Sequence, residues 1–265
     1  MVTYNRPKFV KQAVNALLNQ TVKPFEIIVI DNGSFFPLNL EPDSKLVKLK
    51  RFDTEIGVSN ARNYGVSIAE GEFVAFIDDD CLPSNNWIEE VEKGIRTGAD
   101  VLGGPLRAKF SATPPAWWKE KVLGYFVGVG NEAKGDIWSG NMIFEKAVIQ
   151  KVGGFDPNIG PRAGKLLKGE DSYLMAKAKT QAKVLFLRTA IVFHMVGPER
   201  LTFKYIINWA YNSGKSQKIA FGPKPVAVYA FLKAFLEFLN PFLKSGKTGR
   251  ILRIAVMVEQ VGAII

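Results

Sequence analysis

Short apolar runs alternate with amphipathic stretches along the first half of the chain. The runs Glu26–Ile30 and Phe73–Ile77 have the length and composition of buried strands, and we expect the second to be covered on both faces of a parallel sheet. Apolar residues recur every three or four positions over 7–20, 57–68 and 84–97, which predicts helices with one buried face. This alternation predicts an α/β fold with a Rossmann-like, mostly parallel sheet flanked by helices.

The second half of the chain is less regular. Its expected strands and helices cover residues 137–144, 145–152, 170–179, 183–187, 190–194 and 201–221. A glycine- and lysine-rich loop at 160–169 is predicted to be mobile and close to the ligand.

Three segments with different roles follow from these patterns. We expect a catalytic domain over residues 1–222, with a nucleotide-binding half at 1–107 and an acceptor-binding half at 108–222, followed by a helical tail at 223–265. A first strand would need several apolar residues before Thr3, so the opening of the sequence indicates an internal start or a shortened chain.

The tail is predicted to form amphipathic helices. Val226–Leu239 is apolar on nearly all sides, but its roughly 14 residues would span only about 21 Å as a helix, short of the roughly 30 Å hydrocarbon core. Basic residues surround the next apolar stretch, Ile251–Val258. We therefore expect helices lying on an anionic cytoplasmic membrane surface, and the alternative is packing on the catalytic domain or on a partner chain.

Composition narrows the compartment and the class of partner. One cysteine among 265 residues excludes an intramolecular disulfide and fits a reducing cytosol. The formal net charge of +10 indicates an anionic partner, such as a nucleotide diphosphate, an acidic lipid surface or nucleic acid. Because the basic residues are dispersed and no nucleic-acid motif is present, we expect no nucleic-acid partner.

Acidic residues follow two of the predicted strands. Asp78, Asp79 and Asp80 come directly after Phe73–Ile77, and Asp31 follows Glu26–Ile30. In open α/β sheets ligands bind at this edge, and clustered carboxylates suit Mg²⁺ or Mn²⁺, although an acidic helix-capping turn would have the same sequence. With Arg62 in a first helical turn, these residues indicate a nucleotide diphosphate pocket.

Seven segments in order resemble the family 2 glycosyltransferases of the GT-A fold. The resemblance covers about residues 1–200. The segments are Thr3-Tyr4-Asn5-Arg6, Ile30-Asp31-Asn32-Gly33-Ser34, Gly57 to Asn63, Asp78-Asp79-Asp80, Ser139-Gly140-Asn141-Met142, Val152-Gly153-Gly154-Phe155-Asp156 and Gly169-Glu170-Asp171.

The resemblance implies an inverting transfer of a sugar from a nucleotide-sugar donor, most often a uridine diphosphate sugar, with Mn²⁺ or Mg²⁺ required. The positions it assigns to the donor and the metal are Thr3, Tyr4 and Asp31 for the base, Asp78 near the ribose, and Asp80 for the metal, with Asp79 also on the donor side. Two departures stand out: Asn32 replaces an Asp usual in the family, and the third Asp leaves the metal ligand open between Asp79 and Asp80.

The catalytic base implied by the resemblance is Asp171. A helix N-terminus favours the ionised carboxylate, the form in which a base must start, although ordinary N-terminal helix charge would place acids there too. Glu170 is expected to bind the acceptor or support Asp171, and Trp138 to line the acceptor side. His194, the only histidine, either completes the metal shell or has a structural role.

Together these features predict a bacterial-type, metal-dependent glycosyltransferase on the inner face of the cell membrane. Its acceptor would be a hydroxyl of a glycan or lipid-linked molecule in surface polysaccharide or glycolipid synthesis. The alternatives are a nucleotidyltransferase, which should carry a glycine- and basic-rich loop after the first strand, and a nucleotide-binding protein without activity. Which sugar, acceptor and linkage are used does not follow from the sequence.

Overall fold

A computed structural model describes residues 1–23, 25–40, 44–119, 127–129, 135–162, 168–221 and 247–264. Over these residues the chain has a mixed α/β architecture with three hydrogen-bonded sheets. The expected strand at 137–144 is instead a 3₁₀ turn, Ser139–Asn141, followed by a shorter strand, Met142–Glu145. Of the loop expected at 160–169, residues 163–167 lie outside the described part.

The first sheet contains three parallel strands in sequence order. They are β1 (Val2–Thr3), β2 (Ile27–Asp31) and β3 (Val47–Arg51). Helix α1 (Pro7–Leu18) buries Val10, Val14 and Leu17. Pro7 suits its first turn, because the N–H that proline lacks would have no partner within the helix there. The register places Thr3 beside Asp31, so the two expected base-binding residues leave the sheet at the same edge.

The second sheet corrects one expectation from the sequence. Its strands are β4 (Phe73–Phe76), β6 (Val101–Gly103), β8 (Met142–Glu145) and β9 (Val184–Phe186), in the order β4-β8-β6-β9. Strand β4 pairs antiparallel with β8, and Ala75 is exposed, so the expectation of a parallel strand covered on both faces was wrong. Ala75 borders an apolar cavity of about 850 Å³ between β4 and the first sheet, which leaves one side of β4 uncovered.

The third sheet joins distant parts of the chain and was not predicted as a unit. Strands β5 (Cys81–Pro83) and β7 (Leu106–Phe110) lie on either side of β10 (Val192–Val196), antiparallel and parallel to it respectively. His194 pairs with Cys81, directly after the aspartate triplet. Backbone pairing therefore carries the only histidine of the chain to the carboxylates.

The remaining helices in the described part flank these sheets. They are α2 (Val58–Ile68), α3 (Trp87–Ile95), α4 (Lys146–Lys151), α5 (Glu170–Ala178), α6 (Phe203–Phe221) and α7 (Lys247–Ile264). Helix α2 follows Gly57, which has a φ of +83° and takes the position before the first turn. A side chain rarely adopts that backbone conformation, which accounts for the glycine.

The described part of the tail packs on protein. Ile251 and Ala255 of α7 lie in one buried cluster with Ile206 and Ala210 of α6, and the Ser213 hydroxyl donates to Glu259 Oε1 at 2.8 Å. For residues 247–264 this corresponds to the packing alternative, whereas Val226–Leu239 lies outside the described residues. Among the described helices, none combines the length and apolarity that crossing a bilayer requires.

Candidate active site

A cavity of about 890 Å³ opens where β1 and β4 end and β5 begins, beside His194 of β10. Its volume falls in the range of ligand pockets in proteins, which is roughly 300–1,000 Å³. Of the side chains that the sequence singles out, those lining it are Thr3, Tyr4, Arg62, Asp78, Asp79, Asp80, Trp138, Glu170, Asp171 and His194. One cavity thus contains every predicted site residue except Asp31.

Asp79 joins the start of the chain to the aspartate triplet. The Thr3 hydroxyl donates to Asp79 Oδ2 at 2.7 Å, and Arg6 Nη1 donates to Oδ1 at 2.9 Å. Burial and the neighbouring Asp80 carboxylate raise the pKa of Asp79 to about 6, although Arg6 opposes the shift. With both oxygens engaged by protein donors, Asp79 anchors β1 against the triplet.

Asp80 is buried among three basic side chains. Oδ2 accepts from Arg200 Nη2 at 2.6 Å and from Arg6 Nη1 at 3.0 Å, while His194 Nε2 lies 3.3 Å from Oδ1. Burial opposes ionisation, but the Arg200 and Arg6 guanidinium groups hold the pKa of Asp80 well below its usual value. Asp80 is therefore ionised in this site.

Arg200 sets the hydrogen-bonding role of His194 Nε2. Arg200 Nη1 lies 2.8 Å from Nε2, and because a guanidinium can only donate, Nε2 accepts. The ring proton is then on Nδ1, which is buried and has no hydrogen-bond partner among the described residues. The lone pair of Nε2 and a carboxylate oxygen of Asp80 then lie side by side, which is the form in which both groups bind metals.

Three potential metal ligands lie together at the end of the aspartate triplet. Asp80, Cys81 and His194 form one group of ligand atoms within 4.8 Å of one another. Burial, reinforced by the neighbouring aspartates, raises the pKa of the Cys81 thiol well above its usual value, so the sulfur stays protonated and packs near Gly140. The remaining oxygen and nitrogen donors fit Mn²⁺, which accepts carboxylate and imidazole, better than a metal that selects thiolate.

Arg62 connects the two halves of the expected catalytic domain. From α2, its Nη1 donates to Glu170 Oε1 at 2.5 Å and its Nη2 to Asp78 Oδ1 at 2.9 Å, and its guanidinium carbon lies 5.3 Å from the centre of the Phe155 ring. Burial raises the pKa of Glu170 despite the attraction of Arg62. With both terminal nitrogens hydrogen-bonded, Arg62 holds the Glu170 and Asp78 carboxylates in place from the cavity wall.

Asp171 lies in the first turn of α5 with both carboxylate oxygens hydrogen-bonded. Oδ2 accepts from the Ser139 backbone N–H at 3.1 Å, and Oδ1 accepts from the Ser172 N–H at 2.6 Å. The Ser139 hydroxyl also donates to Asp78 Oδ2 at 3.1 Å. Ser139 therefore links the acidic end of β4 to the residue predicted as base.

A half-buried lysine lines the cavity near Glu170, Asp171 and Asp80. The Lys168 ammonium is 4.9 Å from the centre of the Trp209 ring, and its backbone N–H donates to Ser216 Oγ at 2.6 Å. Burial, with the nearby Arg200 charge, lowers the pKa of Lys168 to about 8. A lysine with this pKa, facing a polar cavity, is typical of functional sites.

Asp31 is placed behind the cavity wall. It is fully buried, Oδ1 accepts from the Ser34 N–H at 3.0 Å, and Oδ2 has no hydrogen-bond partner among the described residues. The nearest basic group is Arg51, with Nε at 3.9 Å from Oδ2. A buried acceptor without a hydrogen bond is costly unless a ligand supplies the donor.

Comparison with known proteins identifies the family. The sequence profile described as glycosyl transferase family 2 matches residues 1–153, more than half of the chain. The chain belongs to glycosyl transferase family 2. This glycosyltransferase acts on a nucleotide-activated sugar, and inversion is the general outcome in its family. The family resemblance seen in the sequence is confirmed.

Relatives match the glycosyltransferase over different shares of their length. Glucosyl-dolichyl phosphate glucuronosyltransferase of Haloferax volcanii is 24% identical over 234 residues, 82% of this chain and 74% of that protein. Glycosyltransferase AglE of the same organism is 31% identical over 111 residues, and glycosyltransferase GlyG of Streptococcus pneumoniae is 30% identical over 107. Each of these two matches covers 38% of this chain and 36% of the relative.

Solved structures of S. aureus TarS share the fold. TarS 1-349 in complex with UDP has a TM-score of 0.55 and 17% identity, covering 99% of this chain and 87% of that one. TarS 1-349 in complex with UDP-GlcNAc gives 0.55 and 16%, covering 98% and 89%. At this identity the likeness shows the fold alone, and it confirms the α/β fold of the GT-A type.

Four further residues of the glycosyltransferase site were not given roles from the sequence. They are Arg6, Ser139, Lys168 and Arg200. Arg6 and Ser139 lie inside segments that carry the family resemblance, so position offered a signal. Lys168 lies in the glycine- and lysine-rich loop expected at 160–169 to be close to the ligand, and it lines the cavity. Arg200 follows a strand with no distinguishing pattern, and only the fold shows its proximity to Asp80. The separate roles of all these residues stay predictions.

Proposed function

We propose that this chain transfers a sugar, with inversion, from a uridine diphosphate sugar to a hydroxyl of a glycan or lipid-linked acceptor, and that it requires Mn²⁺ or Mg²⁺. The observation that carries the proposal is the shared cavity, which Asp80, His194 and Asp171 all line. The relative named for action on glucosyl-dolichyl phosphate and the TarS complexes with UDP and UDP-GlcNAc support the acceptor and donor classes.

The donor nucleotide would enter beside β1. Asp31 Oδ2, which makes no hydrogen bond among the described residues and lies 3.9 Å from Arg51 Nε, would accept from a base N–H. Asp31 lies behind the cavity wall, whereas Thr3 and Tyr4 line the cavity itself. Asp78 accepts hydrogen bonds from Ser139 and Arg62, but its side chain is still about a third exposed and is available to the ribose hydroxyls. Arg6 and Arg200 are the basic groups nearest Asp79 and Asp80 and would balance the diphosphate charge.

The metal would be held by Asp80 and His194, with Asp79 as the alternative carboxylate. Both side chains are buried, and an ionised carboxylate and a neutral imidazole nitrogen face the same point. When bound, the ion would neutralise the negative charge that develops on the departing diphosphate. Its role as a required cofactor belongs to this proposal.

Asp171 would act as the base. The bond from the acceptor oxygen to the anomeric carbon forms as the bond to the diphosphate oxygen breaks, and the acceptor proton passes to Asp171. Two backbone N–H groups hold its carboxylate in place in the first turn of α5, where Asp171 lines the cavity. Glu170, fixed by Arg62, orients the first turn of that helix.

The acceptor side would be lined by Trp138, next to Ser139 in the cavity. A lipid-linked acceptor places the enzyme at the inner face of the cell membrane as a peripheral protein, in the synthesis of a surface polysaccharide or glycolipid. The net charge of +10 is compatible with an anionic lipid surface. The catalytic domain would run from residue 1 to 222.

A donor panel tests the proposal. Wild type, Asp171→Asn and, as a surface control, Asp53→Asn are incubated with nucleotide sugars, Mn²⁺ and a lipid-linked acceptor, and nucleoside diphosphate release is measured. We expect release with a uridine diphosphate sugar, a loss of about 10²–10⁴-fold in Asp171→Asn with unchanged donor affinity, and no loss in Asp53→Asn. Equal turnover by wild type and Asp171→Asn would remove Asp171 from the base role.

A further inference from the structure

The guanidinium of Arg200 bridges the two residues that would bind the metal. Nη2 donates to Asp80 Oδ2 at 2.6 Å, and Nη1 donates to His194 Nε2 at 2.8 Å. The 3₁₀ turn Pro198–Leu201, directly after β10, presents Arg200 to the same strand that carries His194. A single cation thus satisfies a carboxylate and an imidazole lone pair at once.

This arrangement removes a repulsion between two acceptors. Asp80 Oδ1 and His194 Nε2 are 3.3 Å apart, both side chains are less than a tenth exposed, and neither atom can donate to the other in the tautomer that Arg200 imposes. Two acceptors at this separation inside a protein are stable only with a positive charge shared between them. A divalent ion would share the same carboxylate and the same ring nitrogen.

We propose that Arg200 takes the place of the divalent ion between Asp80 and His194 and passes to the donor diphosphate when the ion binds. The inference rests on the proposed function, since it needs a diphosphate in this cavity. Before the ion binds, Arg200 keeps Asp80 and His194 together, and the ion must displace it. The displaced guanidinium, on a side chain that is only 16% exposed, needs a new anion within the cavity.

Arg6 does not have this property. It also donates to Asp80 Oδ2, but its second partner is Asp79 and its side chain is 42% exposed, so it can turn to solvent. It makes no described contact with His194. Removing Arg200 therefore leaves Asp80 paired with Arg6 and leaves His194 Nε2 free for a metal, without stranding a buried charge.

As a consequence, the ion and the donor raise each other's binding affinity by more than their direct contact would. In the wild type, the ion alone must break two charge-assisted hydrogen bonds, and the diphosphate restores them on a new partner. The factor by which UDP raises Mn²⁺ affinity equals the factor by which Mn²⁺ raises UDP affinity, so either titration measures it. Arg200 contributes to that factor.

The test compares equilibrium binding in wild type, Arg200→Met, Arg200→Lys and the surface control Arg96→Met. Free Mn²⁺ is measured by electron paramagnetic resonance with and without UDP, and UDP binding by calorimetry with and without Mn²⁺. We expect Arg200→Met to bind Mn²⁺ alone about tenfold more tightly than wild type, and UDP at saturating Mn²⁺ about tenfold more weakly. Arg200→Lys should lie between, because an ammonium keeps the charge but lacks the planar fork with which the guanidinium contacts both acceptors, and Arg96→Met should match wild type.

The outcomes separate this inference from the function on which it rests. Mn²⁺ affinity that is unchanged or weaker in Arg200→Met, in a variant whose circular dichroism matches wild type, would overturn the substitution of Arg200 for the ion. Tighter Mn²⁺ binding with unchanged UDP binding would overturn its passage to the diphosphate. Wild type that binds no UDP at saturating Mn²⁺ would instead refute the donor class in the proposed function.

Discussion

Replacing Arg62 by methionine should break two ion pairs that hold the site together, one buried and one partly exposed. Arg62 is 8% exposed at its side chain and lies between Glu170, also 8% exposed, and Asp78, which is 37% exposed. Methionine keeps the contact with the Phe155 ring but leaves Glu170 buried without its partner. Breaking one side of a buried ion pair costs about 3–5 kcal/mol, whereas the more exposed Asp78 contact adds at most about 1 kcal/mol.

We therefore expect Arg62→Met to lower the free energy of unfolding by about 4 kcal/mol at pH 7. The loss should be smaller near pH 5. Burial already raises the pKa of Glu170, and without Arg62 it rises further, so the folded state binds the proton more tightly than the unfolded state. Stability from that group is present at low pH and declines as pH rises through the folded pKa.

Urea denaturation followed by circular dichroism measures these values. The double variant Arg62→Met/Glu170→Gln removes both charges and should lose only about 1–2 kcal/mol, since no carboxylate is then stranded. Arg96→Met, whose partner Glu92 is exposed on the same helix, is the control and should change stability by less than about 0.5 kcal/mol. A loss below about 1 kcal/mol in Arg62→Met, or no recovery in the double variant, would refute the reasoning.

Three further changes test other parts of the structure. Burial lowers the pKa of Lys168 to about 8, so the folded state binds this proton less tightly; Lys168→Met should raise the free energy of unfolding by up to about 3 kcal/mol at pH 7. That gain should shrink between about pH 8 and 10.5 in urea titrations, and a gain that does not vary with pH would contradict it. Asp31→Asn turns the unpaired acceptor into a donor and should weaken UDP about tenfold in calorimetry, while stability changes little. Ala255→Asp buries a carboxylate between α6 and α7 and should cost more than about 2 kcal/mol by thermal or urea unfolding; a neutral result would mean that α7 does not pack there in solution.

The sequence predicted the α/β class and several of the side chains that line the cavity, because apolar periodicity and position after a strand are local signals. The three-sheet arrangement was not predictable in the same way. Strand β5 has only three residues, and its partner β10 is far away in the sequence, so no local pattern indicates their pairing. The antiparallel placement of Phe73–Phe76 was missed for the same reason, since a short apolar run has the same appearance in either direction.

The same distinction between local and long-range signals applies to the residues of the site. Asp171 and the aspartate triplet stood out because acids cluster at strand or helix ends. Arg6 and Arg200 did not, since a basic residue is ordinary on a chain with 35 lysines and arginines. Their importance arises from which oxygen or nitrogen each one reaches, and that depends on side-chain geometry in the assembled fold.

The pairing of Cys81 with His194 has a consequence for how such an enzyme diversifies. Because neighbouring strands set the spacing of Asp80 and His194, the long stretch between them can gain, lose or exchange surface segments without altering where the leaving group is stabilised. New acceptor preferences could therefore be grafted into that stretch while donor chemistry is inherited unchanged.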